Sequence, residues 1–205
     1  DEGSCVQVQQ LGGGQVSVCG RQHSLGDTGH LDFGGANLGP AQVEEIATFL
    51  ASAEAAAVRR LTLRGNTGMT GGGGDLSGLR ALCKVLPNLK TPLSLDLAYC
   101  GIGVAELNEL AWAIRGGAVV ARLIFDENPL TGGDYGWHFD KDLSGVTSLF
   151  DTLKTSSVTE LGLAKCRLGP GSMGKLAEYV RDAEAALTSI NCLANNFGDD
   201  DLATL

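Results

Sequence analysis

The sequence predicts an α/β fold built from repeated strand-and-helix units. Pairs of alternating apolar residues, which are typical of strands, recur along the chain, and each pair is followed by apolar residues at helical spacing. The residue in the turn after each strand also alternates between two types. One such unit cannot bury its own apolar face, so we expect the units to stack into a solenoid with a parallel sheet.

The strand pairs define the start of each unit. They are Leu31/Phe33, Leu61/Leu63, Leu95/Leu97, Leu123/Phe125, Leu161/Leu163 and Ile190/Cys192. The first residue of each pair is called the anchor below. Because side chains on a strand point alternately to opposite faces, both residues of a pair are expected to face the core.

The predicted helices carry the same apolar stripe five times. The stripes are Val43/Ile46/Ala47/Leu50, Leu79/Leu82/Cys83/Leu86, Leu107/Leu110/Ala111/Ile114, Val146/Leu149/Phe150/Leu153 and Met173/Leu176/Ala177/Val180. Each stripe predicts a helix with one buried face.

The turn after each strand distinguishes two kinds of unit. Five residues after the anchor, the first kind has Ala36, Cys100 and Cys166, and the second kind has Asn66, Asn128 and Asn195. An asparagine in this position can bond several buried backbone groups at once, whereas a cysteine fills it as a small, weakly polar residue.

These alternating units resemble the ribonuclease-inhibitor-like leucine-rich repeats, a class that also occurs in the sensor domains of innate immune receptors. The residues that carry the resemblance include the L-x-L-x-x-C-x-I pattern at 95–102 and the helix after it. The resemblance covers 31–205, as five full repeats and the start of a sixth. It implies a horseshoe with the parallel sheet on the concave face, helices on the convex face, and a concave surface that binds a protein.

Residues 1–30 are predicted to form an N-terminal cap and a connector. Val6 and Val8 alternate with glutamines, as Val16 and Val18 do with polar residues, so 5–19 reads as a β-hairpin. Pairing 6 with 18 and 8 with 16 places Cys5 opposite Cys19, which makes a disulfide between them one of two open alternatives. Residues 20–30 show no clear periodicity.

Two units of the asparagine kind carry insertions between strand and helix. The first is glycine-rich, near 70–75, and the second spans about 132–142. Both follow a strand two units apart, so with strands ~4.8 Å apart we expect them on one rim and within reach of each other.

The second insertion concentrates aromatic residues in a chain with only 5% of them, namely Tyr135, Trp137, His138 and Phe139. Two interpretations are open. The rings contact a partner, or they fold back and plug the insertion onto the rim.

The sheet face opposite the core is the second candidate contact surface. Its predicted residues are Arg64, Asp96, Tyr99, Asp126, Glu127, Lys165 and Asn191. Asp96, Asp126 and Glu127 lie on adjacent strands and predict an acidic patch. The alternative is an ordinary solvated face.

Composition limits the classes of partner. The net charge of −9 disfavours a nucleic-acid partner and favours a basic protein, or simply solubility. No apolar run reaches membrane-spanning length. The sequence therefore predicts neither nucleic-acid nor membrane binding.

Catalytic and metal motifs are not recognised. His23, His30 and His138 lack a nucleophile with an orienting carboxylate in any known motif, so we expect no enzyme. Asp134, His138, Asp140 and Asp142 match no metal-binding spacing, and the run Asp199–Asp201 suits the start of a helix. No metal or cofactor is predicted.

The cysteines bear on localisation. Cys83, Cys100, Cys166 and Cys192 are predicted as buried thiols, which, with the absence of an N-x-Ser/Thr acceptor, favours the cytoplasm. A Cys5–Cys19 disulfide would instead indicate a secreted or extracellular protein.

The predicted function is non-catalytic protein recognition by the concave sheet and the rim insertions. Two alternatives remain. Leu202 and Leu205 begin a sixth helix stripe, which suggests a fragment of a longer protein whose repeats pack on other domains or self-associate through an uncapped end. The net charge suggests an acidic inhibitor of a basic enzyme.

Overall fold

The computed structural model describes residues 9–12, 15–25, 28–132, 139–182 and 187–196, which form a mixed α/β fold. The strands are β1 (Gln9–Gly12), β2 (Gln15–Val18), β3 (Arg21–Ser24), β4 (His30–Asp32), β5 (Arg60–Thr62), β6 (Leu93–Asp96), β7 (Val120–Ile124), β8 (Glu160–Gly162) and β9 (Ser189–Asn191). The α-helices are α1 (Pro40–Leu50), α2 (Ser77–Val85), α3 (Val104–Arg115), α4 (Ser144–Leu153) and α5 (Pro170–Asp182).

Strands β4 to β9 form a parallel sheet in chain order. The anchors are in register across all six strands, as Leu31, Leu61, Leu95, Leu123, Leu161 and Ile190. The predicted α/β class with a parallel sheet is confirmed. Below, a unit is one of these strands with the helix that follows it, so unit 1 is β4 with α1 and unit 6 begins with β9.

The predicted helix stripes are buried except for two residues of α5, half-buried Ala177 and exposed Val180. Val180 is 39% exposed, whereas its neighbour Tyr179 is fully buried. The Tyr179 ring stacks on Phe150 of α4 at a centroid distance of 5.9 Å. The large ring therefore takes the inward position, and the prediction for Val180 is wrong.

Neighbouring helices pack more extensively within the pairs α1–α2 and α3–α4 than between α2 and α3 or α4 and α5. In each close pair, the second residue of the second helix is a glycine. A Cβ on Gly78 would lie 2.3 Å from the Pro40 carbonyl oxygen, and one on Gly145 would lie 3.1 Å from Val104 Cα. The missing side chains allow the close approach.

The asparagines five residues after the anchors join adjacent units. Asn128 donates to the carbonyls of Leu97 and Phe125, both at 2.8 Å, and accepts from the N–H groups of Cys100 (3.0 Å) and Ile102 (2.9 Å). The other two asparagines make equivalent bonds: Asn66 donates to Phe33 and Leu63 and accepts from Leu38, and Asn195 donates to Leu163 and Cys192 and accepts from Cys166 and Leu168. The predicted multiple bonding by asparagine is confirmed.

The cysteines in the same position bond less. Cys100 Sγ lies 3.0 Å from the Leu63 carbonyl of the preceding unit, and Cys166 Sγ lies 3.1 Å from the Phe125 carbonyl. Because a thiol is a weak donor and accepts nothing here, the cysteine turns depend mainly on packing.

The N-terminal sheet differs from the predicted hairpin. Gln10, not Val8, pairs with Val16, and β3 adds a third antiparallel strand within the predicted connector. A slip of two residues keeps every side chain on its face, so the alternation of valines could not fix the register. That slip removes the basis for placing Cys5 opposite Cys19; Cys5 lies outside the described residues, and Cys19 Sγ lies 3.3 Å from the Gln42 carbonyl.

This antiparallel sheet covers unit 1. Val18 and Leu25 are buried with the main core, and the His23 ring lies 4.5 Å from Phe33. Burial, followed by the charge of Arg21, lowers the pKa of His23.

Candidate interaction surface

The sheet face opposite the helices brings several predicted residues together. Arg64, Asp96 and Asp126 line a shallow depression of about 210 Å³. Arg122 and Glu160 line the same depression, although the sequence analysis did not select them. They precede the anchors by one residue, and the two-residue period of a strand places that position on the same face as the residue after the anchor.

Arginines neutralise the predicted acidic patch in part. Arg64 Nη2 lies 2.9 Å from Glu127 Oε1, two units away, and Arg122 Nε lies 2.9 Å from Glu160 Oε2. Both pairs are substantially exposed, so each contributes little to stability, about 0–1 kcal/mol. The surface therefore carries alternating charges.

Two of the carboxylates also hold the backbone of the sheet. Asp96 Oδ1 accepts a bond from the Ala98 N–H at 3.0 Å, and Asp126 Oδ1 accepts one from the Ala164 N–H at 2.8 Å. The second carboxylate bond joins unit 4 to unit 5. These aspartates accordingly have a structural task alongside any contact with a partner.

The residue four positions after each anchor has a left-handed backbone in all six units. We call this set the turn row: Gly35, Gly65, Tyr99, Glu127, Lys165 and Ala194, with φ values of 60°, 79°, 51°, 63°, 55° and 57°. Glycine adopts this conformation freely, whereas a residue with a Cβ is destabilised in it by roughly 1–2 kcal/mol.

The sheet imposes that conformation. The N–H of each turn-row residue in units 1 to 5 continues the hydrogen-bond ladder to the next strand; Tyr99 N bonds Asp126 O and Glu127 N bonds Ala164 O, both at 2.8 Å. Tyr99 and Lys165 are exposed, Tyr99 by 53%, and Glu127 is half-buried beside Arg64. Three predicted contact residues thus lie side by side on consecutive strands, at the edge where the strands end.

The second insertion is attached to the unit that follows it. Asp140 accepts hydrogen bonds from the N–H groups of Gly169 (2.9 Å), Gly171 (2.7 Å) and Ser172 (3.2 Å), and from the Ser172 hydroxyl. Half-buried Phe139 lies beside Gly169. The end of the insertion therefore folds back onto the start of α5, in agreement with the plug interpretation for Phe139. Tyr135, Trp137 and His138 lie outside the described residues.

Asp140 replaces an acceptor that α5 lacks. In α1 and α3 the side chain of the third helical residue accepts a hydrogen bond from the N–H just before the helix. Gln42 accepts from the Gly39 N–H at 2.9 Å, and Glu106 accepts from the Gly103 N–H at 3.0 Å. The same position in α5 is Ser172, which is too short to reach back. The insertion supplies the missing carboxylate from another unit.

Both insertions end in the same four residues, Asp-Leu-Ser-Gly. Asp75 Oδ1 accepts from the Ser77 N–H at 2.9 Å, and Asp142 Oδ1 accepts from the Ser144 N–H at 2.8 Å. The repeated motif thus holds the N–H of the first residue of α2 and of α4, and it supplies the close-contact glycines. Asp134 and His138, also considered as metal ligands, are not described. Among the described residues, no three or more histidine, cysteine, aspartate or glutamate side chains form a group that could hold a metal ion.

The buried thiols are expected to be unreactive. Burial raises the pKa of Cys83 and Cys166 to about 12 and that of Cys100 to about 11. Cys192, predicted in the core, is only half-buried. Because the thiolate is the reactive form, the three buried cysteines should resist alkylation in the folded protein.

Comparison of the sequence with protein families and with curated proteins finds no match. Within the part of the chain that the structure describes, no helix is both long enough and apolar enough to cross a membrane.

Proposed function

We propose that the chain is a leucine-rich-repeat solenoid of the ribonuclease-inhibitor-like class, curved as a horseshoe, that recognises a protein partner. Contact would be made by the turn row and the charged sheet face beside it. In this proposal the protein performs no catalysis, and Arg64, Asp96, Tyr99, Asp126, Glu127 and Lys165 contact the partner.

The turn row is the observation that carries the proposal. Units 1 and 2 have glycine there, and the fold accepts it. Units 3, 4 and 5 instead have Tyr99, Glu127 and Lys165, each destabilised by the left-handed backbone. Large side chains, two of them exposed, in positions where glycine is more stable suggest selection for contact, and an exposed tyrosine is typical of interface centres.

Two exposed aromatic residues allow a matched test. Tyr99 is 53% exposed on the sheet side, and Trp112 is 59% exposed on α3. We would place a photo-crosslinking phenylalanine at either position and identify the proteins joined to each in an extract of the source organism. The proposal expects a protein joined through position 99 and not through position 112. Equal capture at both positions, or capture at position 112 alone, would contradict it.

Packing by further domains is a second candidate function. Leu193 after β9 is 74% exposed, and Ile190 is only half-buried, whereas the other anchors are at most 2% exposed. Exposed apolar residues beside β9 favour additional structure against this strand. If this surface binds a partner or a second copy of the chain, Leu193→Glu should lower self-association in sedimentation velocity. If the wild type self-associates and the substitution leaves its sedimentation unchanged, this second candidate function is excluded.

A further inference from the structure

A second cavity lies away from the sheet surface. Its volume is about 600 Å³, and it opens between the end of α1 and the end of α2. The 3₁₀ turn at Ala53–Ala57 and the last residue of the 3₁₀ turn at Leu86–Asn88 both contribute to its lining. None of its lining residues lines the sheet depression.

The walls of the cavity are mainly apolar. They include Leu50, Ala53, Ala56, Val58, Val85 and Leu89. The polar lining groups are already engaged in part: the Ser52 hydroxyl donates to the Phe49 carbonyl, and the Thr91 hydroxyl donates to the Val58 carbonyl. An apolar cavity of this size with few polar groups is typical of sites for small organic molecules.

The charge at the cavity is positive. Lys90 is the charged residue of the lining, it is exposed, and it forms no ion pair with another described residue. The Arg59 guanidinium lies behind Thr91 and donates to its hydroxyl at 3.1 Å. Glu54, on the turn Ala53–Ala57, stays ionised, because a hydrogen bond from its own N–H lowers the pKa of its carboxyl. Two cations, Lys90 and Arg59, and one carboxylate, Glu54, give the site a locally positive charge, which favours an anion despite the net charge of −9 of the chain.

We infer that this cavity binds an aliphatic monocarboxylate of medium chain length. The chain packs on the alanine and leucine walls, and the carboxylate lies at the rim beside Lys90. This site is independent of the proposed protein-recognition surface.

The test titrates the ¹⁵N-labelled protein with octanoate and measures the chemical shifts of the backbone amides. Saturable shifts confined to 50–58 and 85–91 are expected, and 1-octanol should bind more weakly. Lys90→Gln should weaken octanoate binding about threefold, as an exposed charge pair does, whereas the matched Lys84→Gln on α2 should not.

A second matched pair tests the apolar walls. Ala56 lines the cavity, and its exposed neighbour Ala57 does not. Ala56→Phe should abolish the saturable shifts, and Ala57→Phe should leave them unchanged. The inference is overturned if octanoate causes no saturable shift in the wild type, if its shifts spread over the whole chain, or if 1-octanol binds as tightly as octanoate.

Discussion

Two adjacent rows of residues in this fold have different roles. The turn row, four residues after each anchor, is strained wherever it is not glycine, and its non-glycine residues are exposed except for half-buried Glu127. The next row, which we call the core row, lies five residues after each anchor and contains Ala36, Asn66, Cys100, Asn128, Cys166 and Asn195. Core-row asparagines stabilise the joints between units, whereas turn-row side chains such as Tyr99 oppose folding locally.

Within the core row, asparagine and cysteine also differ. Asn66 and Asn128 lie at the joints where the helices pack most closely, α1 with α2 and α3 with α4. Cys100 and Cys166 lie at the joints with the lesser helix contact. Strong and weak joints therefore alternate along the chain, and the unit pairs are the natural cooperative blocks.

The largest expected effect is the loss of a core-row asparagine. Asn128→Ala removes four hydrogen bonds and leaves buried carbonyl and N–H groups without partners, so we expect a loss of about 3–4 kcal/mol in the free energy of unfolding. Cys100→Ala should cost only about 1 kcal/mol, because a weak thiol bond and little volume are lost. Urea unfolding measures both. Equal losses would mean that the two kinds of joint do not differ.

The helix contact is tested by a glycine that has no room for a side chain. Gly78→Ala places a Cβ 2.3 Å from the Pro40 carbonyl oxygen, so we expect a loss of about 2–3 kcal/mol as α2 moves from α1. Gly174 in α5 is the control, because its added Cβ meets nothing within 4 Å. Gly174→Ala should stabilise by about 0.5–1 kcal/mol through helix propensity. A stabilising Gly78→Ala would disprove the close contact.

A smaller effect is expected where the second insertion caps α5. Asp140→Ala should lower the free energy of unfolding by about 1 kcal/mol, as the loss of a helix cap does. Combining it with Ser172→Glu should recover part of that loss, since Glu106 performs this task within α3. Thermal unfolding of the single and double variants is the measurement. A double variant no more stable than Asp140→Ala would show that the carboxylate in α5 is not interchangeable with that in α3.

The strands, helices and core row follow from local spacing, which is why the sequence predicted them. The register from Leu31 to Ile190 is set by one apolar pair per unit, and a slip of one residue would expose every anchor. The predicted hairpin register was wrong because a slip of two residues leaves the valines on the same face, so their pattern does not exclude it. Asp140 could not be assigned to α5, because 29 to 32 residues separate it from its partners.

For the candidate surface, the sequence identified the exposed positions but not their conformation. A positive φ at Tyr99, Glu127 and Lys165 leaves no trace in the residue types, since glycine is the usual indicator. A comparison with Gly35 and Gly65 in the same position would have suggested it. Arg122 precedes its apolar pair by one residue, outside the positions between and after the pairs that the pattern assigns to this face.

The most direct test of the separation between the two rows is the stability of the triple variant Tyr99→Gly, Glu127→Gly, Lys165→Gly, measured by urea unfolding beside Asn128→Ala. Relief of the left-handed strain, set against the greater freedom of glycine in the unfolded chain, predicts a free energy of unfolding that is unchanged or higher by up to about 1 kcal/mol per site. That result would mean that these side chains are not needed for folding and are available for recognition. A triple variant less stable than the wild type by more than about 1 kcal/mol would contradict the account, because the turn row would then support the fold as the core row does.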